Sequence, residues 1–284
     1  MNGLRSLGER LLVHGVSHPG LSRAMARLSD LRLPRPLLRA LIRAYLRAYR
    51  VDMSEAAQPV EAYATFNAFF TRRLREGARP VAAAPGLVVS PADSRVRSIG
   101  ALPPDARLEQ IKGRTYALEA LLGSAGDARL FAAGVYATLY LSPSMYHRVH
   151  CPVDGRVRGW RYIQGRRFPV NAMAVRNVEG LFTVNERVSV LLDGDDLGPL
   201  ALVMVGATSV GRITLSFDGL ATHARGPVLS DQPAQPIPIR RGDELGVFNL
   251  GSTVVLLAAD PRLRPAEVAA GDLVRMGQPL WKRG

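Results

Sequence analysis

The sequence predicts an α+β fold in which N-terminal helices are attached to a β-rich, mainly antiparallel body. Two patterns carry that expectation. Over residues 34–50 the apolar residues recur with a helical period, whereas beyond Pro80 short apolar or β-branched segments alternate with Gly, Pro and Asp turns. With 284 residues there is core enough for one large domain or two modest ones. No repeat of fixed period is evident.

The first fifty residues carry ten Arg (5, 10, 23, 27, 32, 35, 39, 43, 47 and 50) against Glu9 and Asp30, a local balance of 10 − 2 = +8. Leu37, Leu38, Leu41, Ile42, Tyr45, Leu46 and Tyr49 fall on one helix face, and Arg39, Arg43 and Arg47 form an i, i+4 ladder on another. Such a helix suits a membrane interface. It suits equally a helix packed on its own domain with a solvated Arg face. A second helix is expected over 60–76, with Tyr63, Phe66, Phe69, Phe70 and Leu74 as its apolar side and Gly77 as its stop. Strands are expected at 86–90, 135–141, 155–163, 181–192, 201–205, 211–217, 244–248 and 253–258, with a short helix at 117–122. Residues 221–241 hold four Pro and read as a long surface loop. Residues 1–80 are thus a helical, basic, membrane-proximal region and 81–284 a β-rich domain.

A net charge of +13 calls for an anionic partner surface. Basic and aromatic residues are not interleaved in any known nucleic-acid motif, so no nucleic-acid partner is expected. No apolar run is long enough to span a bilayer, and Arg5, Glu9 and Arg10 interrupt the stretch a signal peptide would need. The expected location is peripheral, on the cytoplasmic side of the cell membrane. Cys151 stands alone, which rules out an internal disulfide; with scattered His residues it makes no metal-ligand set, and no metal is expected.

The residues that carry chemistry begin near the C-terminus. Gly251-Ser252 stands directly before the apolar run Val254-Val255-Leu256-Leu257-Ala258. Gly permits backbone bends other residues resist, and the Ser252 hydroxyl could then attack the preceding carbonyl in an N-to-O acyl shift. Upstream, His147 and His150 lie in Tyr146-His147-Arg148-Val149-His150, and Asp93 in Ser90-Pro91-Ala92-Asp93. Acid, imidazole and hydroxyl are the parts of an activated nucleophile. The two histidines would point to opposite faces of a strand but share one face of a turn; their spacing leaves that open.

These stretches resemble the pyruvoyl-dependent phosphatidylserine decarboxylase family. So do Phe66-Asn67-Ala68-Phe69-Phe70-Thr71-Arg72, Phe168-Pro169-Val170-Asn171, Asn185-Glu186-Arg187-Val188, Val205-Gly206-Ala207-Thr208 and Leu250-Gly251-Ser252-Thr253, all in family order. The resemblance implies a proenzyme that cuts itself between Gly251 and Ser252 and turns Ser252 into a pyruvoyl cofactor. That group would bind phosphatidylserine through a Schiff base and release CO2, giving phosphatidylethanolamine. Asp93, His150 and Ser252 match the family's charge relay for cleavage, and His147 its decarboxylation histidine, a proton donor to the carbanion. Phe168 and Asn171 would border the substrate. No Lys stands in a motif for pyridoxal phosphate, consistent with a cofactor made from the chain. The partners implied are phosphatidylserine in an anionic membrane and the two subunits of one cut chain, with a homo-oligomer of the processed unit also allowed.

One departure concerns Ser94, where the family commonly has Gly; a positive φ there would strain Ser. Two other classes compete with the lyase. A Ser/His/Asp hydrolase without self-cleavage would use the same residues, but the Gly-x-Ser-x-Gly elbow is missing. A basic membrane- or nucleic-acid-binding module would use only the charge. A denaturing gel separates them, since only the lyase yields two fragments.

Overall fold

In the computed structural model, which describes residues 24–25, 27–111, 114–208, 212–222, 230–231, 233, 235–249 and 252–284 (backbone alone at 111, 231 and 252), helices lead into an antiparallel β body. Helix α1 (Arg35–Tyr49) opens with Pro36 in its first turn, where a missing N–H breaks no helical bond. It ends at Arg50, whose left-handed backbone returns an N–H to the Leu46 carbonyl. Leu38 and Ile42 pack on Phe69 in a small cluster of their own, while Leu37, Leu41 and Tyr49 stay exposed. The helix is therefore packed on its own domain along one part of its apolar arc and open along the rest. The rest of the Arg-rich N-terminal stretch, residues 1–23, lies outside the described residues.

The helix expected over 60–76 is much shorter. A 3-10 turn (Val60–Ala62) is followed by extended Tyr63, then by α2 (Phe66–Phe70). Thr65 caps α2 by accepting from the Ala68 N–H, and the Thr71 hydroxyl bonds back to the Asn67 carbonyl where the helix ends. Beyond it Leu74 bridges to Ala56, so tertiary pairing overrides the helical period.

The body starts with β1 (Leu87–Val89), β2 (Ser94–Ala101), β3 (Arg107–Ile111) and β4 (Arg114–Ala117). Two short helices, α3 (Leu118–Leu122) and α4 (Ala125–Leu130), precede β5 (Val135–Leu141), β6 (Arg148–His150) and β7 (Gly155–Ile163). After α5 (Ala172–Asn177) and α6 (Leu181–Val184) come β8 (Arg187–Gly194), β9 (Gly198–Gly206) and β10 (Arg212–Leu215). Next are β11 (Ser230–Asp231), β12 (Ile237–Ile239), β13 (Glu244–Asn249) and β14 (Ser252–Ala258). The chain closes with β15 (Leu263–Pro265), β16 (Leu273–Val274) and β17 (Pro279–Arg283).

The main sheet runs β11-β7-β8-β9-β14-β5-β2-β16, with β12 also on β7. Its pairs are all antiparallel. A second sheet, β10-β13-β6, carries both the histidine segment and the strand that leads to Ser252. The strand expected over 181–192 divides into α6 and β8, because the buried Asn185 amide leaves the strand to bond the Phe168 and Gly206 carbonyls. The expected loop at 221–241 is partly strand: β11 and β12 both line β7. Ser94 opens β2 and is not among the residues with positive φ, so no strain arises there.

Candidate functional site

Ser252 is the first residue of β14, a strand paired along both of its edges. Its backbone faces Leu141 of β5 on one side and Gly206 of β9 on the other. Thr253 through Ala258 continue that double pairing, buried at every position. Upstream, the chain leaves the second sheet at Asn249, which pairs with Arg212. The step from Asn249 to Ser252 therefore passes from one sheet to another. Gly251 and the Ser252 side chain, both singled out from the sequence, lie outside what is described.

His150 ends β6 opposite Glu244, and it is 9% exposed. Its Nδ1 lies 2.7 Å from the Gly242 carbonyl and its Nε2 3.0 Å from the Tyr146 hydroxyl. A carbonyl only accepts, so Nδ1 carries the proton and Nε2 presents a lone pair to Tyr146. Burial pushes the imidazole pKa down; the Gly242 bond and the charge of Glu244 oppose that, Arg148 adds to it, and Asp93 opposes it more weakly. A neutral imidazole with an unprotonated Nε2 is the form a general base requires.

His147 is fully buried and sits just before β6. Nδ1 donates to the Met145 carbonyl at 2.8 Å, and the ring lies 4.1 Å from that of Phe70, centroid to centroid. Nε2 has no hydrogen-bond partner among the described residues. Burial, reinforced by the Arg72 charge, lowers its pKa to about 3. The His147 carbonyl accepts from the Phe248 N–H, so register sets His147 nearer the sheet crossing than His150, which faces Glu244.

Asp93 is buried, and its carboxylate is clamped by Arg79, Nε at 2.8 Å and Nη2 at 2.5 Å, with the Met276 N–H at 2.9 Å. Arg79 also bonds Glu55, which in turn holds Arg275. The Asp93 loop meets the histidine strand through the backbone, where the His150 N–H donates to the Pro91 carbonyl at 2.8 Å. The acceptor that orients the His150 ring is thus the Gly242 carbonyl, and Asp93 reaches that ring by its charge alone.

Phe168 is a buried core residue whose N–H donates to Asn185 Oδ1. Asn171 caps α5, accepting from the Ala174 N–H at 3.0 Å. Cys151 is buried, its thiol on the Val153 carbonyl and its pKa pushed up to about 12 by burial. Among the described residues no group of His, Cys, Asp and Glu could hold a metal ion, and no helix is long and apolar enough to cross a membrane.

Three features escaped the sequence reading as site components. Arg72, 4% exposed, donates from Nη2 to the Ser144 carbonyl, so the segment just after α2 grips the loop that carries His147. Glu186, 1% exposed, is held by Arg167 at 2.9 and 3.1 Å, and its backbone carbonyl accepts from Gly206, the residue opposite Ser252. Both lie in family-like segments, which was the available signal. An apolar groove of about 620 Å³ between α1 and the body is lined by Leu28, Leu41, Tyr45, Tyr49, Phe70 and Thr208, among others. It reaches the ring of Phe70 that lies tilted against His147.

Comparison with known proteins gives one answer. The family model described as phosphatidylserine decarboxylase matches residues 66–282. The phosphatidylserine decarboxylase proenzyme of Anaeromyxobacter sp. (strain K) is 44% identical over 92% of this chain and 93% of its own length. The protein of that name from Myxococcus xanthus is 42% identical, covering 86% of each chain. The one from Pseudomonas fluorescens (strain Pf-5) is 43% identical over 93% of each. With that coverage laid over a doubly paired Ser252 strand and a buried histidine pair, the chain belongs to the phosphatidylserine decarboxylase family.

Proposed function

We propose that this protein is a self-cleaving decarboxylase proenzyme that makes phosphatidylethanolamine from phosphatidylserine. Besides the family membership, one observation carries the reading: Asn249 and Ser252, on either side of the bond to be cut, are anchored in different sheets. A chain cut between Gly251 and Ser252 would keep both new ends in place, residues 1–251 as the large subunit and 252–284 as the small one.

In the self-cleavage, Ser252 Oγ bonds to the Gly251 carbonyl carbon as the C–N bond breaks. Its proton passes to His150 Nε2 and on to the departing nitrogen, leaving an ester. Loss of the residue 252 Cα proton and breakage of the Cβ–O bond then release the Gly251 carboxylate and a dehydroalanine. Water replaces its nitrogen as ammonia, giving the ketone. That pyruvoyl group supplies the sink for the electrons left when CO2 departs. The site fits such a group, because β14 is fixed on both edges and a neutral His147 lies beside the approach strand. With Nδ1 committed to Met145, Nε2 is the atom at which His147 would take up a proton and deliver it to the substrate. Asp93 supplies negative charge near His150, and its loop supports the His150 backbone.

Residues 1–80 form the membrane-proximal region and 81–284 the catalytic domain. The protein binds the cytoplasmic face of the cell membrane peripherally. The open apolar side of α1, the groove behind it and the Arg ladder support a lipid substrate in an anionic bilayer. The oppositely assigned histidine pair is the second reading, favoured by the unpartnered Nε2 of His147 and its place opposite Phe248.

Denaturing gels and release of CO2 from carboxyl-labelled phosphatidylserine test both. Wild type should give two fragments, the smaller without a free amino terminus, and Ser252→Ala should stay whole. His150→Ala should block cutting, whereas His147→Ala should cut but release little CO2. The reverse result exchanges the two roles, and a small fragment starting with free Ser252 rejects the cofactor.

A further inference from the structure

We infer that a polar knot of Asp30, Asn67, Asn249 and Arg212 positions the chain upstream of the scissile bond, so that self-cleavage requires the N-terminal helical region to be seated on the β body. The inference rests on the self-cleavage proposed above. Asn67 lies in α2 and Asn249 ends β13, and the two are 7% and 8% exposed. Asn67 Nδ2 donates to Asp30 Oδ1 at 2.9 Å and to Asn249 Oδ1 at 3.0 Å. Asn249 Nδ2 donates in turn to the Arg212 carbonyl at 3.0 Å, and Arg212 pairs with Asp30 at 3.4 Å.

The chemistry of the groups leaves one orientation for both amides. Asp30, as a carboxylate, only accepts, so Asn67 must turn its NH2 toward it. The same NH2 then requires the oxygen of Asn249. The Arg212 carbonyl, also an acceptor only, takes the Asn249 NH2. Asn67 Oδ1 is left buried without a partner among the described residues, which costs stability that an apolar residue among Phe66, Phe69 and Phe70 would not incur. The β10–β13 ladder itself uses only backbone groups and does not need an amide at Asn249.

The acyl shift explains why that cost is retained. The Ser252 hydroxyl must sit about 3 Å from the Gly251 carbonyl carbon, and small misplacements slow such reactions steeply. Downstream, the register of β14 fixes Ser252. Upstream, Asn249 is the last residue of β13, and the knot fixes its side chain to elements far away in sequence. A chain whose N-terminal region is not seated loses that second anchor.

The test follows processing of full-length protein in cell-free synthesis, with melting temperatures taken in the Ser252→Ala background. Asn67→Asp sets a carboxylate against Asp30 and Asn249 Oδ1 and should slow cutting about tenfold or more. Adding Asp30→Asn restores a donor facing that carboxylate and should return the rate to within about threefold of wild type. Hydroxylamine, which cleaves esters, should not rescue Asn67→Asp, because the ester itself fails to form. Asn249→Leu, similar in size, should slow cutting likewise and carries the test alone should Asn67→Asp not fold. Cutting at the wild-type rate in folded Asn67→Asp or Asn249→Leu overturns the inference. So do a slow Asn67→Asp that Asp30→Asn leaves unchanged and a rate that hydroxylamine restores. If wild type itself stays whole, the self-cleavage reading fails instead.

Discussion

The helical layer and the β body treat their apolar residues in opposite ways. Strand β14 is enclosed, with neighbours on both edges and Val254 through Ala258 at 0% exposure. Helix α1 buries Leu38 and Ile42 yet leaves Leu37 and Leu41 56% and 44% exposed. The first arrangement would suit a segment that holds its place once the proposed cut is made. The second suits a surface that meets lipid, since an apolar patch left open on a basic helix marks an interaction face. The seam between the layers is polar and specific: Tyr45 bonds the Pro143 carbonyl, and Arg72 the Ser144 carbonyl.

Substitutions on the two sides should separate them, beginning with the largest effect. Leu256→Ala opens a cavity in the fully buried centre of the main sheet and should cost about 4 kcal/mol, read as a lower urea midpoint for the whole molecule. Ile42→Ala removes a buried side chain from the small helical cluster and should cost about 2 kcal/mol. Hydrogen exchange should then rise in α1 and α2 while β14 stays protected; equal loss in both would erase the distinction.

Acid should find the seam next. His147 has a folded pKa near 3, below its unfolded 6.5, so well above pH 6.5 neither state binds the proton and the residue contributes no pH dependence. As pH falls below 6.5 the unfolded chain takes up a proton the native one refuses. Stability drops by up to about 1.4 kcal/mol per pH unit until about pH 3. His147→Gln should flatten that part of a stability–pH curve; an unchanged slope would mean the acid sensitivity lies elsewhere.

The smallest change in stability should come from the open face. Leu37→Ser with Leu41→Ser should alter folding by less than about 0.5 kcal/mol each, because both are exposed. Flotation with anionic vesicles should nevertheless fall. Gln at Arg39, Arg43 and Arg47 should weaken it too, by about 1 kcal/mol per contacting charge and less at Arg43, which already pairs with Glu61. If both variants float like wild type, this face is not the membrane side.

Much of the fold was legible because strands and helices write their period into the sequence. The strands at 135–141 and 155–163 appear with the expected bounds, and Leu118–Leu122 as the expected short helix. The misses have tertiary causes. Leu74 pairs with Ala56 rather than extending a helix, and Asn185 turns its amide to two carbonyls where a strand was expected. For the site, motifs located Asp93, His147, His150 and Ser252 but not their partners. That Arg79 holds Asp93, that Gly242 holds His150, and that Asn67 reaches Asn249 are contacts between distant segments, invisible to any local pattern.

By itself, the sequence determined the family and the order of helical layer and β body, and it nominated the residues proposed to do the chemistry. Those follow from residue type and spacing, which a chain carries whether folded or not. Only the tertiary structure decided the state of those residues. Burial beside Arg72 makes His147 a neutral acceptor, and a carbonyl rather than a carboxylate orients His150. Two sheets, not one, hold the ends on either side of the bond before Ser252. Desolvation, charge and register are set by neighbours in space, and the packed fold alone supplies them.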